Sequence, residues 1–456
     1  MAFDQRESRT QPVGVTAPKE PLGFWASYRA VRRNVLELIP EQAYRQPVLT
    51  GGRRKGWMML MDPPALERVF RGNVANYPKS PVARRLMTPR EGENLIIAEG
   101  QSWRWQRRTM SPMFQPKALK AMSPVMSVAG ASAADRIGAQ DAEVVDVYPE
   151  VIAATCDVIC DLALSGRDAI NRAALTNAIE GYLRNIARVS LLDLLGAPSW
   201  VPRPGTLLNR DGPHMDRMTD EIIAARRARG PSDPPDILDM MLAANDPETG
   251  AEMDPVTMRN NLLGLLFAGH ETTALAITWS LYLLALHQGA QDRARDEAQA
   301  AITGDPEAEI DPAKLGYARQ VIEEALRLYP PAGFLTRTAL EADELAGHEV
   351  KAGATVILPI YAVHRHQLLW ERPESFDPDR FAPGAAEGRH RSAFLPFGAG
   401  PRICMGWAFA MMEAQIILGT LLARFRFTLP DGFQPVPRMW FTLRPGTGMP
   451  LRVERV

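Results

Sequence analysis

The stretch that most constrains the fold is NNLLGLLFAGHETTALAITWSLYLLAL, residues 260–286. A run this apolar either crosses a membrane or forms a helix buried inside a large protein, because about twenty apolar residues suffice to span a bilayer. His270 and Glu271 stand at its middle. Hydrocarbon penalises such a pair, whereas a large protein core can use it, so the reading is a buried helix of about 45 Å over thirty residues. Leu262, Leu263, Leu266 and Phe267 suit that environment, but Ala268 and Gly269 leave space beside them. A mid-helix glycine costs about 1 kcal/mol relative to alanine. Thr272 lies four residues after Ala268, so its hydroxyl can take the Ala268 carbonyl and loosen the helix there.

The rest of the chain is consistent with a large core. It has 456 residues, 46% of them hydrophobic and 23% charged, with a formal net charge of -1. That balance lacks the basic excess of nucleic-acid binders. Three cysteines form no disulfide framework and imply a reduced, cytoplasmic setting. Residues 1–22 are polar and read as a mobile N-terminal arm, with no membrane anchor. Helical periodicity dominates residues 100–300, with a hairpin expected around Gly51-Gly52 and small strands near HEVKAGATVILPI and in the tail. With no repeat and no linker, residues 23–456 read as one mainly α body with minor sheet.

A second stretch carries the chemistry. In FGAGPRICMG, Cys404 follows a turn rich in glycine and precedes an apolar helical pattern. A helix N-terminus and nearby cations favour a thiolate. No histidine or cysteine stands at zinc spacing, so a zinc site is unsupported. A lone thiolate in a glycine-lined loop suits an iron porphyrin, whose ring supplies the other four ligands. Cys156 and Cys160, by contrast, fall on an apolar helix and read as buried thiols. Glu324 and Arg327 share a helix face, which equally describes a surface ion pair. Trp103 and Arg107 are spaced i, i+4.

Phe397, Gly400, Arg402, Cys404 and Gly406 match, position by position, the FxxGxRxCxG cysteine loop, and the chain resembles the cytochrome P-450 superfamily. Three further motifs fall in the order that family shows: WxxxR at Trp103 and Arg107, AGxETT at Ala268–Thr273, and ExxR at Glu324 and Arg327. The resemblance implies a mainly α fold with small sheets, a long central helix over the haem and the cysteine loop beneath it. It implies haem b bound through Cys404, with Trp103, Arg107, Arg337 and Arg402 serving the propionates. Ala268, Phe397 and Gly406 would lie against the ring. Glu324 and Arg327, joined by Arg380, would be structural and hold the loop rigid. Glu271 and Thr272 would be the acid–alcohol pair that delivers protons to bound dioxygen. His270 reads as packing and not as a ligand.

By the same analogy the substrate pocket is formed by Leu95, Ile96, Phe267, Ala268, Pro331, Ala332, Phe334 and Phe441, and its apolar character implies a lipophilic substrate. The implied reaction inserts one atom of dioxygen into a fatty acid, terpenoid or aromatic compound, by hydroxylation first of all. Electrons from NAD(P)H would arrive through a separate ferredoxin and ferredoxin reductase, with Arg104 and Arg108 on the docking face of a monomer. Arg53 and Arg54 read as an exposed turn, although relatives that oxidise fatty acids can anchor a carboxylate there. Two other readings are a haem-thiolate sensor without turnover and a peroxide-driven peroxygenase. Glu271 and Thr272 speak against both, since neither needs a proton relay.

Overall fold

The apolar run is helical from end to end, and its caps explain its limits. The helix spans Pro255–Leu286 in a computed structural model that describes residues 11–52, 56–88, 92–140, 142–163, 178, 179, 181, 201, 211–233, 235–302 and 310–456. Asp254 caps it, accepting from the backbone N–H groups of Val256 and Thr257 at 3.0 Å, and Pro255 occupies the first turn, where no N–H is missed. At the far end the N–H of His287 closes on the carbonyls of Leu283 and Leu284.

In chain order the longer helices are α1 (Phe24–Arg33), α2 (Gly100–Met110), α3 (Pro116–Ala139), α4 (Val147–Ala163), α5 (Asp211–Arg229), α6 (Pro255–Leu286), α7 (Gln288–Ala301), α8 (Gly316–Leu328) and α9 (Trp407–Arg424). The strands are β1 (Val48–Gly51), β2 (Trp57–Leu60), β3 (Val144–Asp146), β4 (Leu335–Thr338), β5 (Asp343–Leu345), β6 (His348–Val350), β7 (Thr355–Leu358), β8 (Phe425–Thr428), β9 (Pro437–Met439), β10 (Leu443–Pro445) and β11 (Pro450–Arg455). The largest sheet has the order β1-β2-β7-β4, and only its β2–β7 pair is parallel. The remaining sheets are β3-β11-β8, β10-β9 and β5-β6. β1 and β2 form the expected hairpin, Val48 opposite Leu60. Arg53 and Arg54 lie outside the described residues.

α6 is the axle of the core. It packs most extensively on α4 and also meets α9 and α8, while α9 packs on α3 and α7. Near its C-terminal end Trp279, fully buried, stacks on Tyr329 at 4.0 Å between ring centroids and donates its Nε1–H to the Leu443 carbonyl at 3.0 Å. No described helix is long and apolar enough to cross a membrane; the run at α6 is interrupted by its polar centre.

One expectation needs revision. Of the arm at residues 1–22, residues 1–10 lie outside the described residues, but the part from Pro12 on is held. The Tyr329 hydroxyl donates to the Val13 carbonyl at 2.7 Å, and the N–H groups of Val13 and Val15 donate to the hydroxyls of Tyr282 and Tyr361 at 3.2 Å. Three buried tyrosines tie down a polar segment because each hydroxyl needs a partner once desolvated.

Candidate haem-thiolate site

The cysteine loop is shaped by backbone requirements. Gly398 and Gly400 both adopt φ of +70°, and a Cβ on Gly400 would overlap the Phe70 carbonyl oxygen. Only glycine fits there. The Cys404 N–H donates to the Phe397 carbonyl at 2.9 Å, closing the turn, and Gly406 then caps α9. Cys404 is exposed although many protein atoms surround it. Burial pushes its thiol up, against the opposing pull of the Gly406 N–H and Arg107. The low thiol pKa expected from the helix terminus and nearby cation is therefore not what the protein alone provides. A bound metal ion deprotonates a coordinating thiol outright.

A buried charged pair fixes the segment that precedes the loop. Glu324 and Arg327 are both fully buried and joined by two bonds of 2.7 Å. Arg327 also donates to the carbonyls of His364 at 2.9 Å, Pro373 at 2.6 Å and Ser375 at 2.9 Å. Glu324 accepts from the Asp377 N–H at 2.9 Å, with Arg380 Nε 3.5 Å away. The surface alternative for this pair is thus excluded. Buried charges survive when every donor and acceptor is met, and here five backbone groups or charges from one meander do so.

Beside the loop sits a group of cations. Arg402 donates to the Ala98 carbonyl at 2.8 Å, pairs with Glu99, and lies 4.5 Å from the centroid of Trp103. Arg337 on β4 is bridged through its backbone to Lys79, and donates to the Thr336 carbonyl at 3.1 Å. Burial first, and then the charge of Arg402, lowers Arg337 to about 10. Burial, Arg402 and Arg337 together lower Lys79 to about 7. Three cations thus share one carboxylate, Glu99, and the set is short of negative charge. The two propionates of a haem supply that chemistry, so the residues fit the group. Lys79 has no signal in the sequence: a single lysine in NYPKSP carries no motif, and only the fold reveals its company. Arg107 is bound instead to the loop itself, donating to the Ile403 carbonyl at 2.9 Å.

At the middle of α6, Ala268 is exposed and Phe267, Gly269 and Thr272 are half-buried, whereas residues 273–285 on the C-terminal side are all buried. The Thr272 hydroxyl donates to the Ala268 carbonyl at 2.7 Å, as the spacing predicts. Glu271 is buried and its carboxylate points elsewhere. Oε1 pairs with Arg444 Nη2 at 2.5 Å and accepts from the Tyr148 hydroxyl at 3.4 Å, and Oε2 accepts from the Thr442 hydroxyl at 2.8 Å. Among the described residues no hydrogen bond joins Glu271 to Thr272. His270 is buried with neither ring nitrogen partnered, and burial followed by the charge of Arg444 lowers it to about 4, so it is neutral.

The pocket residues fall into two neighbourhoods. The N–H of Leu95 donates to Asn261 on α6 at 2.8 Å, and Ile96 packs beside Gly264. Phe441 precedes Leu443, whose N–H donates to the Pro331 carbonyl at 3.1 Å, so the C-terminal hairpin adjoins the turn holding Ala332 and Phe334. Pro331 is buried, while Ala332 is exposed. Arg108, expected on a docking face, is engaged by Asp246 through two bonds of 3.1 Å and by Glu248.

Comparison with known proteins agrees with this geometry. A family model described as Cytochrome P450 matches residues 42–450. Cyclooctatin synthase of Streptomyces melanosporofaciens is 32% identical over 79% of this chain and 78% of its own length. Human Cytochrome P450 4A11 is 31% identical over 83% and 76%, and a cytokinin hydroxylase of Arabidopsis thaliana 30% over 79% and 71%. Among solved structures, a retinoic acid-bound cyanobacterial CYP120A1 superposes with a TM-score of 0.76 at 25% identity, covering 90% of this chain and 92% of that one. The cytochrome P450DA heme domain gives 0.75 at 25% identity, covering 90% of both. With the loop, the buried charged pair and the cation group all in place, the chain belongs to the cytochrome P450 family of monooxygenases, whose cofactor is haem b.

Proposed function

We propose that this monooxygenase hydroxylates a lipophilic organic substrate, with Cys404 as the iron ligand and Thr272 and Glu271 handling protons. Bound haem supplies dioxygen activation, which an electron-rich thiolate ligand favours. The protein's own residues do the rest. Lys79, Arg337 and Arg402 would neutralise the propionates of the bound group, with Trp103 and Arg107 near them; Phe397 and Gly406 shape the loop that would hold it. Ala268 would leave room for a small ligand. Glu324, Arg327 and Arg380 hold the loop still.

The observation that carries this reading is the 2.7 Å bond from Thr272 to the Ala268 carbonyl, beside which Ala268 itself is exposed. A threonine hydroxyl bonded back to the carbonyl four residues before it bends a helix slightly, and at this position it can orient water. Leu95, Ile96, Phe267, Ala332, Phe334 and Phe441 are apolar, which supports a lipophilic substrate. The Arabidopsis relative is a cytokinin hydroxylase, which supports the reaction type. Electrons come from a redox partner.

The reduced, carbon monoxide-bound protein tests the ligand: a strongly red-shifted Soret band is expected, and Cys404→Ser abolishes it. An unaltered spectrum in that variant overturns the assignment. Thr272→Ala, assayed with a surrogate ferredoxin and reductase and with dodecanoate as probe, is expected to divert most reducing equivalents from product to peroxide. Unchanged coupling overturns the proton role.

A further inference from the structure

The segment from Glu93 to Ile96 is fastened to the first half of α6 by buried amides that the proposed chemistry leaves unused. Asn261 is buried on α6, and both its donors and its acceptor are engaged. Its Oδ1 accepts from the Leu95 N–H at 2.8 Å, and its Nδ2 donates to Gln106 Oε1 on α2 at 2.9 Å and to the Thr257 carbonyl at 3.0 Å. Gln106, also buried, donates in turn to Ser102 Oγ at 3.1 Å, and Ser102 to Glu93 Oε2 at 3.0 Å. Asn260 donates to the Glu93 carbonyl at 3.2 Å, so the chain of bonds closes on the residue where the segment begins. Gly264 lets the two surfaces meet: a Cβ there would stand 3.5 Å from Asn94 Nδ2 and 3.6 Å from Ile96 Cδ1. Gly264 and Ala268 are four residues apart, on one face of α6 and about 6 Å along its axis. Ile96 therefore stands one helical turn from the exposed Ala268.

We propose that Asn261 is a positioning residue for selectivity: by holding the main chain at Leu95 it sets where Leu95 and Ile96 stand near Ala268, and so how much bulk the pocket admits there. The inference rests on the reading above of these residues as part of the pocket of a haem-thiolate enzyme. Only one bond from Asn261 reaches the segment, and the other two keep the amide in the orientation that makes it. Turned over, the amide would set a donor against the Leu95 N–H and its oxygen against the oxygens of Gln106 and Thr257. A buried network with every member met fixes one arrangement, because any departure strands a donor or an acceptor away from water. Apolar contact is not directional, so Leu95 and Ile96 packed on α6 without that bond can shift along it at little loss.

The test uses the haem-loaded full chain and two probes that coordinate haem iron directly, imidazole and the bulkier 4-phenylimidazole, each titrated by its optical binding spectrum. In Asn261→Leu, imidazole affinity is expected to stay near the wild-type value while 4-phenylimidazole affinity changes several-fold. Wild-type affinity for both probes in a folded, pigmented Asn261→Leu overturns the proposal. An equal loss for both also overturns it, since that marks a general structural fault. Should this variant not retain haem, Asn261→Asp, which keeps an acceptor for the Leu95 N–H, must show a smaller change confined to 4-phenylimidazole or the proposal falls. Ile96→Ala tells the two claims apart. Wild-type 4-phenylimidazole affinity there defeats the pocket reading, whereas a change there with none in Asn261→Leu defeats the positioning alone. With both substitutions together the effects are expected to be less than additive, and strict additivity overturns action of Asn261 through this wall.

Discussion

Two glutamate–arginine pairs lie inside this protein, and their surroundings differ. Glu324 and Arg327 are three residues apart on one helix, both wholly buried, and Arg327 makes three further bonds to backbone carbonyls. Glu271 and Arg444 come from a central helix and a C-terminal strand, with the arginine partly in solvent and one nitrogen unpartnered. In the first pair every donor and acceptor is met inside the protein, by backbone groups between His364 and Asp377. In the second, the cation keeps one side toward solvent. A fully met buried pair is costly to disturb, whereas a pair with a partly hydrated cation is held less firmly.

Mutation separates them by magnitude. Arg327→Ala leaves a fully buried carboxylate without its partner, and a loss of about 3–5 kcal/mol is expected in denaturant unfolding, with poor haem retention. Arg444→Gln is expected to cost less, since Arg444 is 26% exposed and Glu271 keeps the hydroxyls of Thr442 and Tyr148 as donors. Equal losses in the two variants would erase the distinction between the two pairs.

The smallest expected effect belongs to the cation group, which, unlike either pair, is short of counter-charge. Lys79 in the folded protein gives up its proton near pH 7, whereas an unfolded lysine keeps it to about 10.4. Between those values the unfolded chain binds the extra proton, so apoprotein stability rises with pH there. Propionate binding needs the charged lysine, so haem affinity is expected to fall as pH rises through 7, and Lys79→Gln to flatten that slope. A haem titration across this range checks both signs; a slope that persists in Lys79→Gln assigns the titration elsewhere.

Much of the site was legible before any coordinates. Glu324 and Arg327 are neighbours on any helix, and Thr272 reaches Ala268 by helical spacing alone, so both contacts follow from local geometry. The glycines around Cys404 announce a turn that side chains would block. Other features had no local signal. Arg380 stands 3.5 Å from Glu324 without a hydrogen bond from its Nε, a weaker junction than the motif alone suggested. Arg108 looks like a free surface cation until Asp246 closes on it. The anchoring of Val13 and Val15 depends on tyrosines that lie more than 260 residues further along.

The division follows the range of the forces involved. Helix period, capping by Asp254, the tight cysteine turn and the placement of small residues on α6 are decided within a few residues, and the sequence by itself determined them. Which charges meet was decided only by the tertiary structure, because Coulomb interaction and desolvation depend on distance and burial, and neither is written along the chain. Arg444 facing Glu271, and Lys79 crowded by Arg337 and Arg402, exist because packing brings together segments that share no local pattern.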